Sequence, residues 1–286
     1  MFLLLLPVLL FGSAYFAYRL GWWTFAILLP LVVSAAAVGL DSGSIVAFAC
    51  VIIIGWAAGF IIIKKISLMR YVLAVPILIT ALLSGDYYWK LSKGNDIIAD
   101  SKKQMTELFM KADGVSKEEK EAMAGFVNVF VDVIKNIFPF VVFIYALVFS
   151  GIGYITVKFF LFLYKRELPV NGLPSFDLNG YIVFPLIGAW AAVLLGGGNK
   201  TVFTAALNGA LIISALYLVQ ALGIVSFFLK KKNMPDYLMV ILVILLFFFS
   251  MSVGVFLVIM LAGFGLLDLW ADFRKIRIGD NKTAGS

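Results

Sequence analysis

The side chains with the most chemical character stand together at the end of the last apolar stretch, Tyr237 to Arg277. Asp268 and Asp272 share one face of a helix at about 100° per residue, and Trp270 and Arg274 lie toward the other face. A tryptophan followed by basic residues is typical of an anchor at a membrane interface. Two carboxylates near lipid are costly unless they are paired. We therefore expect Asp268 or Asp272 to bind a basic loop residue or a partner protein, which makes these four residues a candidate docking site.

Polar side chains within two apolar segments form a second candidate site. Asp86 and Tyr87 lie near the outer end of the fourth segment, and Thr204, Asn208 and Gln220 lie along the seventh. Polar groups inside a membrane usually face the protein interior. One interpretation is a substrate-binding pocket that opens to the outside, with Asn208 and Gln220 facing its cavity. The other interpretation is structural, with an aromatic belt around a solvated Asp86 and amides that form hydrogen bonds between helices.

The composition excludes several kinds of active site. The chain has no histidine, so a His-ligated metal and a Ser-His-Asp triad are excluded. Its one cysteine, Cys50, lies in an apolar run and is expected to be a buried small residue, not half of a disulfide. The glycines at 196–198 follow an apolar helical segment and not a strand, so they do not form a nucleotide-binding loop. We expect no enzymatic activity, no catalytic residues, no metal site and no cofactor.

The distribution of apolar residues indicates an all-α, polytopic bundle of transmembrane helices. Hydrophobic residues make up 63% of the chain and charged residues 14%, whereas soluble domains are nearer to one half and one quarter. The apolar runs are continuous, which argues against the alternating pattern of a β-barrel. The predicted segments are Phe2–Tyr18, Trp22–Leu40, Ser44–Ile63, Tyr71–Trp89, Phe140–Tyr164, Tyr181–Leu195, Thr201–Leu229 and a long last stretch, Tyr237–Trp270.

The last stretch decides between eight and nine spans. As one straight helix it would be about 51 Å long, well beyond a hydrocarbon core of about 30 Å. A turn near Ser250 to Gly254 would split it into two spans. With nine spans the basic loops and the basic tail all fall on one side, which the positive-inside rule makes the cytoplasm. We favour nine spans in a bacterial inner membrane, with the N-terminus outside and the C-terminus inside, and the net charge of +7 then implies no nucleic-acid partner.

A charged stretch between the fourth and fifth spans predicts a helical hairpin. Residues Asp96 to Lys111 form an amphipathic pattern, Asp113-Gly114 breaks it, and Ser116 with Glu119 makes a capping box for a second helix that runs toward Pro139. We expect this hairpin outside the bilayer or on its surface, either as a packed lid or spacer or as a dedicated binding site. The predicted units are therefore a four-span bundle (1–91), the hairpin (92–136), the remaining spans with the cap (137–277) and a disordered tail (278–286).

The second half of the chain resembles the YybS-like family of bacterial membrane proteins. The resemblance rests chiefly on the run Gly265 to Arg274, supported by Phe184-Pro185, Trp190, Asn208 and the run Val219 to Gly223. That family is grouped by remote similarity with the S components of energy-coupling-factor (ECF) vitamin transporters. S components bind a small molecule in a cavity open to the outside and dock onto a membrane coupling protein with two cytoplasmic ATPases.

Two functions follow as expectations. The resemblance implies a substrate-binding subunit of a small-molecule transporter that has no ATPase of its own and docks through Asp268 to Arg274 onto an ECF-type coupling protein. The alternative is a membrane scaffold or assembly protein that binds another membrane protein through its lateral surface or through the hairpin. In both cases the lipid bilayer is a partner.

Overall fold

The computed structural model of the chain describes residues 12–13, 15–17, 49–59, 67–111, 116–163, 172–196, 198–235, 238, 241 and 254–274. Within these ranges the longer helices are α1 (Ala49–Gly59), α2 (Leu68–Ser92), α3 (Ile97–Met110), α4 (Lys117–Asn136), α5 (Phe138–Leu163), α6 (Val183–Leu195), α7 (Lys200–Lys231) and α8 (Gly254–Ala271). Two short 3₁₀ turns, Leu173–Ser175 and Gly180–Ile182, precede α6. Of the first predicted segment, residues 12–13 and 15–17 are described and helical, and the second, Trp22–Leu40, lies outside the described residues.

The apolar helices confirm the prediction of an all-α membrane protein. Helices α2, α5 and α7 are long and apolar enough to cross a membrane, and α1, α6 and α8 are shorter apolar helices. Helix α2 extends three residues beyond its predicted boundary at each end, and the helix caps explain this difference. The Ser67 hydroxyl accepts a hydrogen bond from the backbone N–H of Arg70, so α2 begins before its apolar run. Gly94, at a φ of 85°, allows the reversal after its last turn.

Helix α7 is the centre of the described bundle, because α5, α6, α8 and the first 3₁₀ turn all pack against it. Asn208, near its start, binds the backbone at the start of α5, next to the hairpin. Gln220, further along α7, binds Asp268 near the end of α8. We call these two regions the hairpin end and the cap end of the bundle.

The direction of α8 bears on how the last predicted stretch is divided. Gly265 lies against Tyr217 and Ala221 of α7, and Asp268 follows one turn later against Gln220. Helices α7 and α8 are therefore parallel, and both end at the cap end. A continuous helix over Tyr237–Trp270 would start where α7 ends and finish at the opposite side. This direction favours two spans, but the predicted turn near Ser250 to Gly254 lies almost wholly outside the described residues, and the number of spans stays a prediction.

The hairpin of α3 and α4 forms as predicted. Ser116 and Glu119 make the reciprocal hydrogen bonds of a capping box at the start of α4. Asp96 caps α3 and pairs with Lys135, which donates a hydrogen bond to its carboxylate. That hydrogen bond lowers the pKa of the Asp96 carboxyl below its ordinary value, although burial acts in the opposite direction. The predicted break at Asp113-Gly114 lies outside the described residues.

The spans on either side of the hairpin share one apolar core. In α2, the Tyr71 hydroxyl donates to the backbone carbonyl of Ser150 in α5 at 3.0 Å. Gly153 of α5 packs closely against both helices, since a Cβ atom there would lie 3.0 Å from this hydroxyl and 3.3 Å from Cγ2 of Ile54 in α1. Cys50 is buried in the same core, as predicted. The division of the chain into units at 91/92 and 136/137 stays a prediction.

The contact between α7 and α8 makes Gly265 a sensitive position. A Cβ atom there would overlap the backbone carbonyl of Tyr217, whereas a Cβ at Gly263, on the same helix, would meet nothing within 4 Å. We expect Gly265→Ala to lower the free energy of unfolding by about 2 kcal/mol, because backbone atoms must shift to accept it. Gly263→Ala should be neutral or slightly stabilising. Thermal unfolding of both variants in the same detergent is the measurement, and equal melting temperatures would contradict this close packing.

Candidate functional site

A buried ion pair forms the cap end of the bundle. The Arg274 guanidinium donates through Nη2 to Oδ2 of Asp268 at 2.7 Å. Both side chains are only 1% exposed. Desolvating two charges is expensive, and it is tolerated only where hydrogen bonds satisfy the remaining polar groups. The hydrogen-bond partners around these two side chains therefore determine whether the buried pair is stable.

The end of α8 brings Asp268 and Arg274 together. The helix ends at Ala271, and Asp272 adopts a φ of 39°, in the left-handed region that aspartate tolerates better than most residues. The chain reverses there, and the N–H of Phe273 donates to Oδ1 of Asp268 at 2.9 Å. The sequence-based placement of Arg274 on the opposite helical face from Asp268 is thus wrong, because the helix stops before Arg274.

Both Nη atoms of Arg274 also bind the loop between α5 and α6, whereas its buried Nε has no hydrogen-bond partner among the described residues. Nη1 donates to the carbonyl oxygens of Pro174, at 3.0 Å, and Phe176, at 2.6 Å. Nη2 also reaches Oδ1 of Asp177 at 3.4 Å. A proline-containing loop has carbonyls that no regular helix satisfies, and the fork geometry of arginine suits several acceptors at once. Arg274 therefore ties the cap to this loop.

Gln220 joins the same cluster from the central helix. Its Nε2 donates to Oδ2 of Asp268, and its Oε1 accepts the N–H of Leu178, each at 3.2 Å. Close approach of the loop to α7 depends on Gly223, where a Cβ would lie 2.8 Å from the carbonyl oxygen of Leu173. The cluster thus connects α7, the 172–178 loop and α8 through one carboxylate, one guanidinium and one amide.

The predicted docking residues fall into two pairs. Asp268 and Arg274 are buried and bound to each other, so neither side chain is presented at the surface. Trp270 is 67% exposed, and Asp272 is partly buried. The expected basic partner of Asp268 is Arg274 of its own cap, not a residue of a basic loop. Whether the exposed part of the cap docks onto another protein stays a prediction.

At the hairpin end, Asn208 bridges a break between two helices. In an uninterrupted helix the N–H of Phe140 would bind the carbonyl of Asn136, but Pro139 disfavours such continuity. Instead, the Phe140 N–H donates to Oδ1 of Asn208 at 3.0 Å, and Nδ2 of Asn208 donates to the Asn136 carbonyl at 2.8 Å. Nδ2 also donates to the carbonyl of Thr204 at 2.8 Å. The amide is fully engaged, and it joins α7 to the junction of α4 and α5.

The other predicted substrate-binding residues divide between the two ends. Tyr87 packs its ring 4.3 Å from that of Phe138, and its hydroxyl donates to Asp96 at 3.5 Å. Asp86 pairs with Lys90 at 2.7 Å. Hence Tyr87 and Asn208 contact the α4–α5 junction, Thr204 binds Asn208, and Asp86 pairs within its own helix, while Gln220 belongs to the cap end. The five residues do not line one common pocket in the described structure, and their role in substrate binding stays a prediction.

Several residues of these clusters escaped sequence analysis. The carbonyls of Pro174 and Phe176 and the N–H of Leu178 are backbone groups, which have no signature in side-chain pattern. Pro139 was the available signal for the Asn208 bridge, because a proline early in a helix leaves nearby backbone groups in need of partners. Gly223 was the corresponding signal for the loop that packs on α7.

A comparison with known families identifies the chain. The family model described as "Predicted membrane protein (DUF2232)" matches residues 1–269, and the chain belongs to this family. No curated protein and no solved structure matches it. The family description agrees with the apolar helices of the structure and assigns no activity. The finer resemblance to YybS-like proteins and S components stays a prediction.

The buried pair gives a prediction about coupled loss of stability. We expect Asp268→Asn and Arg274→Gln each to cost about 3–5 kcal/mol, because each leaves an uncompensated buried charge. The double variant should lose clearly less than the sum of the two, since no charge is left without a partner. Asp86→Asn, in a more exposed pair, is the control and should cost less than about 1 kcal/mol. Additive losses in detergent unfolding of the four variants would show that the two charges act independently.

The Asn208 bridge gives a second prediction. Asn208→Leu keeps the approximate size but leaves the Phe140 N–H and the Asn136 carbonyl without their partner, at a cost of about 2–4 kcal/mol. Amide hydrogen exchange at Phe140 should then be at least about tenfold faster. Thr201→Val, at an exposed position of the same helix, is the control and should leave exchange at Phe140 unchanged. Unchanged exchange in Asn208→Leu would mean that the junction closes without the amide.

Proposed function

We propose that this DUF2232 protein is a non-enzymatic membrane scaffold that binds a helix of another membrane protein through the hairpin. The supporting observation is an exposed apolar stripe on α4, formed by Phe126, Val129, Phe130 and Val133. These side chains are 69%, 66%, 47% and 49% exposed, respectively. Their spacing, i, i+3, i+4 and i+7, is the one with which an amphipathic helix binds a hydrophobic groove.

The stripe is separate from the contacts that hold the hairpin together. Val127 and Val131, on another side of α4, are buried. Ion pairs of Lys102 with Asp132 and of Lys135 with Asp96 join α4 to α3. The fold of the hairpin therefore does not use the stripe. Large contiguous apolar patches on an exposed surface mark interaction sites, and this one combines four large side chains.

The hairpin is held in a fixed position, which favours binding. Asn208 ties the end of α4 to the central helix, and Phe126 stacks on Phe130 with ring centroids 5.8 Å apart. A surface that is already ordered loses less conformational entropy when a partner binds. If the N-terminus is outside, as the charge distribution predicts, the stripe faces the outer side of the membrane, and the partner contacts it there.

A substrate-binding subunit of a transporter is the second candidate. The observation that favours it is the presence of two buried amides, Asn208 and Gln220, on the central helix. Both amides already bind groups of the protein itself, so a solute would have to replace those hydrogen bonds. This requirement makes the scaffold the better-supported function. If this second function holds, the partner would be an ECF-type coupling protein with two ATPases.

Site-specific photocrosslinking in native membranes tests the scaffold. We expect a benzophenone side chain at position 126 or 130 to crosslink to one defined membrane protein, because both positions lie on the stripe. Asn128 is exposed on the opposite side of the same helix and is the matched control, which should give little of this product.

Three outcomes would contradict the scaffold. Equal crosslinking from position 128 would remove the role of the stripe, and products with lipid alone would make the hairpin a membrane-surface element. A small solute that raises the melting temperature of the wild type but not of Asn208→Leu, without any protein crosslink, would favour the transporter subunit.

A further inference from the structure

A lateral groove lies at the cap end, on the opposite side of the bundle from the hairpin. It has a volume of about 410 Å³, within the range of about 300–1,000 Å³ usual for ligand sites. Its walls come from the 3₁₀ turn before α6, the first turns of α6 and the last turn of α8. The residues that carry the argument are Asn179, Tyr181, Phe184, Ile187, Leu269 and Trp270.

The lining combines two kinds of side chain. Tyr181 and Trp270 are exposed and combine an aromatic ring with one hydrogen-bonding group. Such side chains are enriched where a membrane meets water. Phe184 and Ile187 follow along α6, and Ile187 lies about 9 Å further along the helix than Tyr181. The groove is thus apolar along α6 and amphipathic beside Tyr181 and Trp270.

The groove continues into a surface that faces lipid. Phe184 and Ile187 are exposed on α6, and so are Leu194 and Leu195 at its other end. Helix α6 is an apolar helix whose main described neighbour is α7. Exposed apolar surface on such a helix contacts acyl chains in a bilayer. We propose that the groove binds one acyl chain of a single membrane phospholipid, whose polar part lies beside Tyr181 and Trp270.

The buried cluster keeps the groove in shape. Leu269 and Trp270 directly follow Asp268, which Arg274 and Gln220 fix in place. A Cβ at Gly180 would lie 3.2 Å from Cδ1 of Leu269, so the two walls touch at the closed side. A preformed groove needs less ordering when an acyl chain binds. A lipid bound there should therefore have a longer residence time than a lipid that exchanges freely. This site is independent of the scaffold function, which rests on the hairpin.

Native mass spectrometry of the full-length protein tests the site. The protein is taken from nanodiscs of phosphatidylethanolamine and phosphatidylglycerol in equal parts into mild detergent. We expect one phospholipid to stay bound to the wild type. Ile187→Trp fills the groove, and excluding even two methylenes of the chain should weaken binding about tenfold. Leu194→Trp adds the same ring to the same helix outside the groove and should bind as the wild type does.

A second variant keeps the test decisive if Ile187→Trp does not fold. Trp270→Ala removes an exposed wall of the groove and should also lower the bound fraction, while its melting temperature stays near that of the wild type. The proposal is overturned if the wild type keeps no phospholipid, or if the groove variants and Leu194→Trp keep equal amounts. It is equally overturned if Ile187→Trp loses a bound protein and not a lipid.

Discussion

The rest of the cap end depends on one desolvated ion pair, Asp268 with Arg274. A buried charge that loses its partner costs several kcal/mol, so every group around the pair is constrained to keep it satisfied. The loop carbonyls of Pro174 and Phe176 must stay in place for Arg274, and Gln220 must stay in place for Asp268. One pair therefore orders three elements that are distant in sequence.

The constraint at the other end has the same form but uses a neutral amide. Asn208 replaces the hydrogen bond that Phe140 and Asn136 would make in an unbroken helix. Both clusters draw on α7, through Asn208 and Gln220, twelve residues apart in the sequence. At 1.5 Å per residue they are separated by about 18 Å along the helix. The central helix thus acts as a rigid spacer between two polar attachments.

The length of the apolar runs was enough to predict the described membrane helices. Membrane spans must satisfy their own backbone hydrogen bonds and so need long uninterrupted apolar runs. The capping box at Ser116 was equally local, since its two partners lie three residues apart. The contacts of Asp268 were not predictable in this way. Its helix ends three residues later, at Ala271, just before a left-handed Asp272, and a helical wheel that continues past this point places Arg274 wrongly. The amides of Asn208 and Gln220 were correctly identified as polar positions, but their partners are backbone groups and the Asp268 carboxylate, which only the packed structure brings near.

The way the polar groups are used bears on what the protein can do. Hydrogen-bonding groups that are fully engaged inside a membrane protein hold it in one arrangement and are not free for a passing solute. Here the central amides and both Nη atoms of the buried guanidinium make internal hydrogen bonds, with Gln220 and Arg274 meeting at the same carboxylate. The described helices present two apolar surfaces outward, the α4 stripe at one end and the Tyr181–Trp270 groove at the other. A rigid interior with specific apolar surfaces is suited to holding partners, whether protein or lipid, more than to moving a polar substrate through its centre.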